Sequence, residues 1–207
     1  MKDYIITVSR GYGSGGKQIA IKLADELGIP YYDSELFTMA SEESGISEKL
    51  FAKSDEKINS RFKGLLAKSD YEMTVLSPDS KKFTSEDNLF NYQAYIIREI
   101  AKKGSCIIIG RAADFVLKDS PDVISVNIEA PFDVCVKTVM DMFSLSEQEA
   151  QKRIVKTDRE RDEYYHYHTG GDRKDPLNYD LTLNSAKIGW DGCVELIKTY
   201  CEQKINR

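Results

Sequence analysis

Apolar residues along this chain keep two rhythms. In Tyr4-Ile5-Ile6-Thr7-Val8-Ser9 they run almost unbroken and are β-branched, which predicts a strand buried on both faces of a parallel sheet. Ile19, Ala20, Leu23, Ala24 and Leu27 then recur at helical spacing, and Gly28 with Pro30 beyond it ends that helix. Tyr31-Tyr32 reads as a short second strand finishing at Asp33. Strand, glycine-rich turn, helix and strand within about thirty residues make a βαβ unit.

From residue 35 to about 83 the rhythm is lost. Charged and small polar residues surround short helical patterns such as Ile58, Phe62, Leu65 and Leu66, and Ser77-Pro78-Asp79-Ser80 marks a turn. A helix follows over about 87–103, stopped by Gly104. Cys106-Ile107-Ile108-Ile109 and residues 123–128 read as buried strands, the first ending at Gly110-Arg111. Pro131 opens a helix with the apolar face Val136, Val139, Met140 and Phe143, and Ser146-Glu147-Gln148-Glu149 is a capping box for the next. Leu181-Thr182-Leu183 is a last short strand before a helix lined by Trp190, Val194, Ile197 and Cys201. Five strands alternating with helices predict a three-layer α/β/α fold around a five-stranded parallel sheet. We expect a single domain, its core in residues 1–35 and 87–207, with a helical excursion over about 36–86.

Composition narrows the picture a little. The 207 residues suffice for one sizeable core. With a net charge of -5 the chain lacks the basic surface of a general nucleic-acid binder, although a phosphate pocket needs only a few Lys or Arg. No run approaches the ~20 apolar residues of a membrane span, and the start has no leader pattern, so a cytoplasmic protein with no membrane partner is expected. Cys106, Cys135, Cys193 and Cys201 are scattered, with no Cys-x-x-Cys pair, and read as buried thiols.

Chemistry enters at the first turn. Gly11-Tyr12-Gly13-Ser14-Gly15-Gly16-Lys17 lies between a strand and a helix with the spacing of a phosphate-binding P-loop. Backbone N–H groups of such a loop form an anion nest, and the following helix N-terminus adds partial positive charge. The predicted phosphate contacts are Gly11, Gly13, Ser14, Gly15, Gly16, Lys17 and Gln18, with Lys17 as the mobile charge for the β- and γ-phosphates of ATP. A Rossmann dinucleotide site, with Asp33 as its acidic residue, shares part of this glycine spacing but needs no lysine here. A ligand-free βα turn is the plain alternative. Gln18 stands where Ser or Thr normally holds magnesium, so either Mg2+ falls to Ser14, to Ser9, or to phosphates and water alone, or phosphoryl transfer is weak.

Asp33 and Arg111 end two strands at the edge where open parallel sheets bind ligands. The planar fork of Arg111 suits an acceptor phosphate, against a structural alternative of capping the sheet edge with a salt bridge. Asp33 equally suits a helix N-cap. Lys152, Lys156 and Arg159 form one helical stripe, and Arg161 shares a ligand with Arg159 only if the helix unwinds. We expect a lid over about 156–178, hinged near Gly170-Gly171, in which Arg159 and Arg161 close on the transferring phosphoryl group. A solvated helix face is the bland reading of the same charges. His166 and His168 flank Tyr167 with no partner at metal spacing, so no protein-held metal is expected and aromatic packing or base stacking is the better reading.

Taken together, these stretches resemble the cytidylate kinase-like proteins of bacteria. The resemblance lies in residues 6–17, in Gly28-Ile29-Pro30-Tyr31-Tyr32-Asp33, and in Ile108-Ile109-Gly110-Arg111. It continues through Asp158-Arg159-Glu160-Arg161, Tyr164-Tyr165-His166-Tyr167-His168-Thr169-Gly170 and Asn178-Tyr179-Asp180-Leu181-Thr182-Leu183-Asn184-Ser185. It implies a P-loop kinase that moves the γ-phosphoryl of ATP, with Mg2+, to CMP or dCMP. It also implies Lys17 at the donor phosphates, Arg111 at the acceptor phosphate, and Arg159 and Arg161 in the lid. Gln18-Ile19 replaces the Gly-Thr of true cytidylate kinases, and Ala112 replaces an Asp that helps them recognise the pyrimidine. A kinase for another small phosphorylated or hydroxylated acceptor, and a nucleotide-binding regulatory module without turnover, are the competing readings.

Overall fold

A computed structural model describes residues 3–56 and 75–205 of the chain. The pattern at Ile58, Phe62, Leu65 and Leu66 lies outside the described residues. β1 (Ile5–Arg10) is buried at all but its last position, as a strand covered on both faces must be. It pairs in parallel with β3 (Cys106–Ile109) and β4 (Val123–Glu129), Ile5 aligning with both Cys106 and Val123. β2 (Tyr31–Tyr32) and β5 (Leu181–Asn184) form the edges of a parallel sheet ordered β2-β3-β1-β4-β5.

Side-chain alternation along the strands sorts the core into two layers. Ile6, Val8, Ile107, Ile109, Ile124 and Val126 pack against α1 (Gly16–Leu27) and α8 (Ser185–Ile205). Cys106, Ile108 and Val123 pack on the other side against α2 (Glu35–Ser44), α4 (Glu86–Ala101) and α5 (Ala113–Val116). Ile6 and Ile97 are fully enclosed, so truncating either to Ala costs about 2–5 kcal/mol. This is the three-layer α/β arrangement the alternation predicts. α3 (Glu48–Glu56) follows α2. α6 (Phe132–Phe143) and the first half of α7 (Glu147–Thr169) share a smaller cluster of Val136, Val139, Ala150 and Ile154.

Local signals set the element ends. Gly28 takes the left-handed conformation (φ 65) and closes α1 onto the carbonyls of Ala24 and Asp25. Ser146 and Glu149 form the reciprocal capping box that starts α7. Three features depart from the sequence reading. α5 was not foreseen, being a single turn too short to show a period. α8 begins at Ser185, ahead of Trp190, and bends at Gly189 (φ 73, ψ 165). α7 runs unbroken to Thr169, so the unwinding needed to bring Arg159 and Arg161 together is absent.

The chain order places the site. After β1 the connections run outward to β2 and back to β3, while β4 crosses to the opposite side of β1. That reversal opens a crevice at the carboxyl end of β1, where the glycine-rich turn begins.

Candidate active site

The turn at residues 11–15 is held by its own backbone. Gly13 (φ 87) and Gly15 (φ 80) are left-handed, which curls the loop over the start of α1. A Cβ on Gly13 would lie 2.7 Å from the Cys135 carbonyl oxygen, and one on Gly15 would collide with the Trp190 ring. Buried Ser14 donates its hydroxyl to the Gly11 carbonyl (2.9 Å) and accepts from the Gly16 N–H (3.3 Å). The Ser185 hydroxyl donates to the Ser14 carbonyl (2.6 Å), and the Tyr12 N–H donates to Asp158 Oδ1 (2.8 Å). Ser14 is therefore committed to the loop, and the Gln18 amide turns to Met142 Sδ at 3.9 Å. Among the described residues no group of three His, Cys, Asp or Glu side chains is placed to hold a metal ion.

Beside the loop, a cavity of about 360 Å³ lies at the carboxyl ends of β1 and β3 and under α7. Lys17, Asp33, Arg111 and Arg161 all line it. Lys17 Nζ is 2.7 Å from Asp33 Oδ2, and Arg10 Nη2 is 3.7 Å from Asp33 Oδ1. Burial pushes the Asp33 carboxyl up, but Arg10, Lys17 and Arg111 together outweigh it and hold it below the usual carboxylate value. Asp33 thus faces the cavity as an anion, and Ser34 takes the N-cap position of α2.

Strain marks the end of β3. Arg111 (φ 61) and Ala112 (φ 49) are both left-handed, an arrangement that non-glycine residues adopt only when the surroundings impose it. The Arg111 guanidinium lies 4.0 Å over the Phe37 ring at the cavity wall. Gly110 in turn has no room for a side chain, because Arg10 Nη1 occupies that space.

α7 separates the two arginines expected to act together. Arg161 turns inward, donating to the Arg10 carbonyl at 3.1 Å. Arg159 leaves the opposite side, pairs with Glu163 at 2.8 Å, and does not reach the cavity. The arginine that joins Arg161 is Arg173, which donates to the same Arg10 carbonyl at 3.0 Å and is only 5% exposed. Its Nε donates to Asp162 at 2.7 Å, while Glu129 and Asp158 lie at 3.5 and 3.9 Å. Burial alone would favour its neutral form, and the carboxylates more than reverse that. Partial burial at the end of β4 pushes the Glu129 carboxyl up; Arg173 opposes this, and Asp158 and Asp162 add to it.

Residue-by-residue reading missed Arg10, Arg173, Asp114 and Glu129. Arg10 and Glu129 end strands at the same edge as Arg111, so the rule that nominated Arg111 would have found them. Asp114 lines the cavity from α5, accepts from the Tyr165 hydroxyl at 2.7 Å, and is pushed up by burial. Nothing local to Arg173 or Asp114 signals either role. Of the two histidines, His168 packs among aromatic rings and His166 is exposed. His168 stacks on Phe90 at 4.1 Å, and His166 Nδ1 lies 3.2 Å from the Gly171 carbonyl.

A strand, a glycine nest closed by a lysine, and an arginine-rich crevice at the switch point describe a phosphate-handling site. A model of the cytidylate kinase-like family matches residues 5–187. The chain belongs to that family. It is similar to the cytidylate kinase of Pyrococcus horikoshii, at 25% identity over 94% of this chain and 86% of that protein. The cytidylate kinase of Methanopyrus kandleri is 24% identical over 98% and 95%. Among solved structures, an uncharacterised protein from Eubacterium ventriosum superposes with a TM-score of 0.71 at 25% identity, over 96% of this chain and 98% of that one. A shikimate kinase from Bacteroides thetaiotaomicron shares the fold, with a TM-score of 0.54 at 12% identity over 96% and 98%. The chain is a P-loop kinase, and its family implies ATP as donor and, typically, Mg2+. No helix among the described residues is long and apolar enough to cross a membrane.

Proposed function

We propose that this kinase transfers the γ-phosphoryl group of ATP to a nucleoside monophosphate, with CMP or dCMP as the acceptor. The observation that carries the reading is that Lys17, Asp33, Arg111 and Arg161 line one shared cavity beside the glycine nest. An acceptor phosphate is already ionised, so it needs cationic alignment more than a base. In the proposed mechanism Arg111 orients that phosphate, Lys17 leaves Asp33 for the β- and γ-oxygens, and Arg161 neutralises charge on the group in flight. Arg173 fixes the Arg10 carbonyl to which Arg161 is tethered. Bound Mg2+ supplies neutralisation of the β- and γ-oxygens. The engagement of Ser14 within the loop and of Gln18 with Met142 supports a cation held mainly by phosphates and water. In this reading residues 36–86 form the acceptor-side part of the domain and residues 156–178 the lid.

Ala112 favours one second reading, a kinase for another small phosphorylated or hydroxylated acceptor, because its methyl group offers no polar contact to a pyrimidine. A coupled ADP-release assay with ATP, Mg2+ and a panel of monophosphates separates the two. CMP or dCMP should give the highest kcat/KM. Binding of ATP without turnover on CMP, dCMP or UMP would remove the first reading.

A further inference from the structure

Of the cations that line the cavity, Lys17, Arg111 and Arg161 meet the phosphates in the proposed transfer, and Arg173 is engaged by three carboxylates. Arg10 is the remaining one. It is the last residue of β1, one position before the glycine nest, and its side chain is 15% exposed. Nη2 lies 3.7 Å from Asp33 Oδ1, while Lys17 holds Oδ2 of the same carboxylate at 2.7 Å. Nη1 reaches over Gly110, the residue before Arg111, where a Cβ would collide with it. The guanidinium therefore spans from the counter-ion of the donor-side lysine to the acceptor-side strand end. Its base is fixed as well, because the Arg10 carbonyl accepts from Arg161 at 3.1 Å and from Arg173 at 3.0 Å.

Charge balance around Asp33 does not require this arginine. One buried carboxylate is neutralised by one cation, and Lys17 is already at ion-pair distance. Crowding Arg10 and Arg111 around the same group costs desolvation and like-charge repulsion, which incoming negative charge offsets. We infer that Arg10 is a catalytic residue, its guanidinium contacting both the acceptor phosphate and the phosphoryl group in transit. The inference rests on the reading that this cavity holds the acceptor phosphate beside the γ-phosphoryl group of ATP. In that step an acceptor oxygen forms a bond to the γ-phosphorus. The bond from that phosphorus to the β–γ bridging oxygen breaks, and its electron pair leaves with ADP. No proton need move, since the attacking oxygen is already ionised. Two anions are forced together meanwhile, and a guanidinium fork can keep Asp33 on one edge while offering the other to both. Little water reaches it, so its charge is weakly screened.

Steady-state kinetics of the full-length protein with ATP, Mg2+ and CMP test this. Arg10→Ala should lower kcat about a hundredfold, the cost of removing one fixed donor from a transition state, with KM for either substrate within about threefold of the parent. Arg10→Lys should fall between the two, because a point charge cannot serve Asp33 and two phosphates at once, and it guards against a fold defect in the alanine variant. Guanidinium chloride, far below denaturing concentration, should raise kcat of Arg10→Ala about tenfold and leave the parent unchanged, as expected when a missing donor is resupplied. A kcat of Arg10→Ala within about threefold of the parent would overturn the proposal, and so would a loss confined to KM. A loss of kcat that guanidinium does not restore, together with a lowered urea midpoint, would make Arg10 a structural counter-ion of Asp33 and overturn it too. Absence of turnover by the parent on CMP, dCMP and UMP would instead remove the reading on which the proposal stands, and the proposal with it.

Discussion

Arg159 and Arg161 are two residues apart on α7, and they live in different surroundings. The first half of the helix holds Lys152, Lys156 and Arg159 on a face open to water, where Arg159 is 72% exposed and paired only with the neighbouring Glu163. The second half enters the core. Arg161 is 24% exposed under the phosphate loop, Tyr164 and Tyr165 are buried, and His168 stacks on Phe90. None of the three basic residues of that stripe lines the cavity, whereas Arg161 does. A run of basic residues therefore marks where lysine and arginine are tolerated, and tertiary packing decides which of them meets a ligand.

The sharpest way to break this contrast is to remove the charge that both kinase readings require. Lys17→Ala should lower kcat/KM about a thousandfold and weaken ATP binding in calorimetry, since no other side chain of residues 11–18 carries positive charge. Near-normal ATP binding and turnover would move the site away from the loop. Next comes Arg161→Ala, with an expected loss of about a hundredfold in kcat and a smaller change in the KM for ATP, as for a donor that acts on developing charge. A loss confined to KM would make Arg161 a binding contact rather than a group that acts on the phosphoryl in transit.

How much of this was legible in the sequence depends on whether the signal is local. β1, the glycine turn and α1 follow from consecutive residues, and so do the capping box at Ser146 and the stop at Gly28. Lys17 was nominated by the spacing of the glycine turn, and Asp33 and Arg111 because strand ends in a parallel sheet share one edge. The pairing of Arg161 with Arg173 could not be found that way. Arg173 reaches the Arg10 carbonyl across 163 positions of sequence, and three carboxylates from α7 and β4 hold it there. The missing unwinding of α7 has the same origin. Tyr164, Tyr165 and His168 are packed against the core, and breaking the helix just ahead of them would cost that packing.

The buried half of α7 also carries a pH signature. Burial lowers the His168 imidazole from an ordinary 6.5 to about 3. Below about pH 6.5 the unfolded chain takes up a proton that the folded chain refuses. Stability contributed by the neutral ring is thus complete above that pH and declines toward pH 3, by about 1.4 kcal/mol per unit. Urea midpoints at about pH 7 and about pH 5.5 should differ more for the parent than for His168→Phe, which cannot titrate. The same difference in both would assign the slope to carboxylates.

The smallest expected effect tests the contrast most directly. A solvated pair spaced i, i+4 contributes little, so Arg159→Ala should change kcat and KM by less than about threefold and leave the urea midpoint nearly unmoved. The two-arginine lid expects instead a loss in kcat comparable to that of Arg161→Ala. Measured side by side under saturating ATP, the variants distinguish a helix that stays whole from one that opens. A drop in kcat of tenfold or more for Arg159→Ala, with ATP affinity intact, would mean that α7 unwinds between residues 159 and 161 when both substrates are bound. The difference between its two halves would then describe only the ligand-free protein, and the packing of Tyr164 and Tyr165 would be the brake on closure.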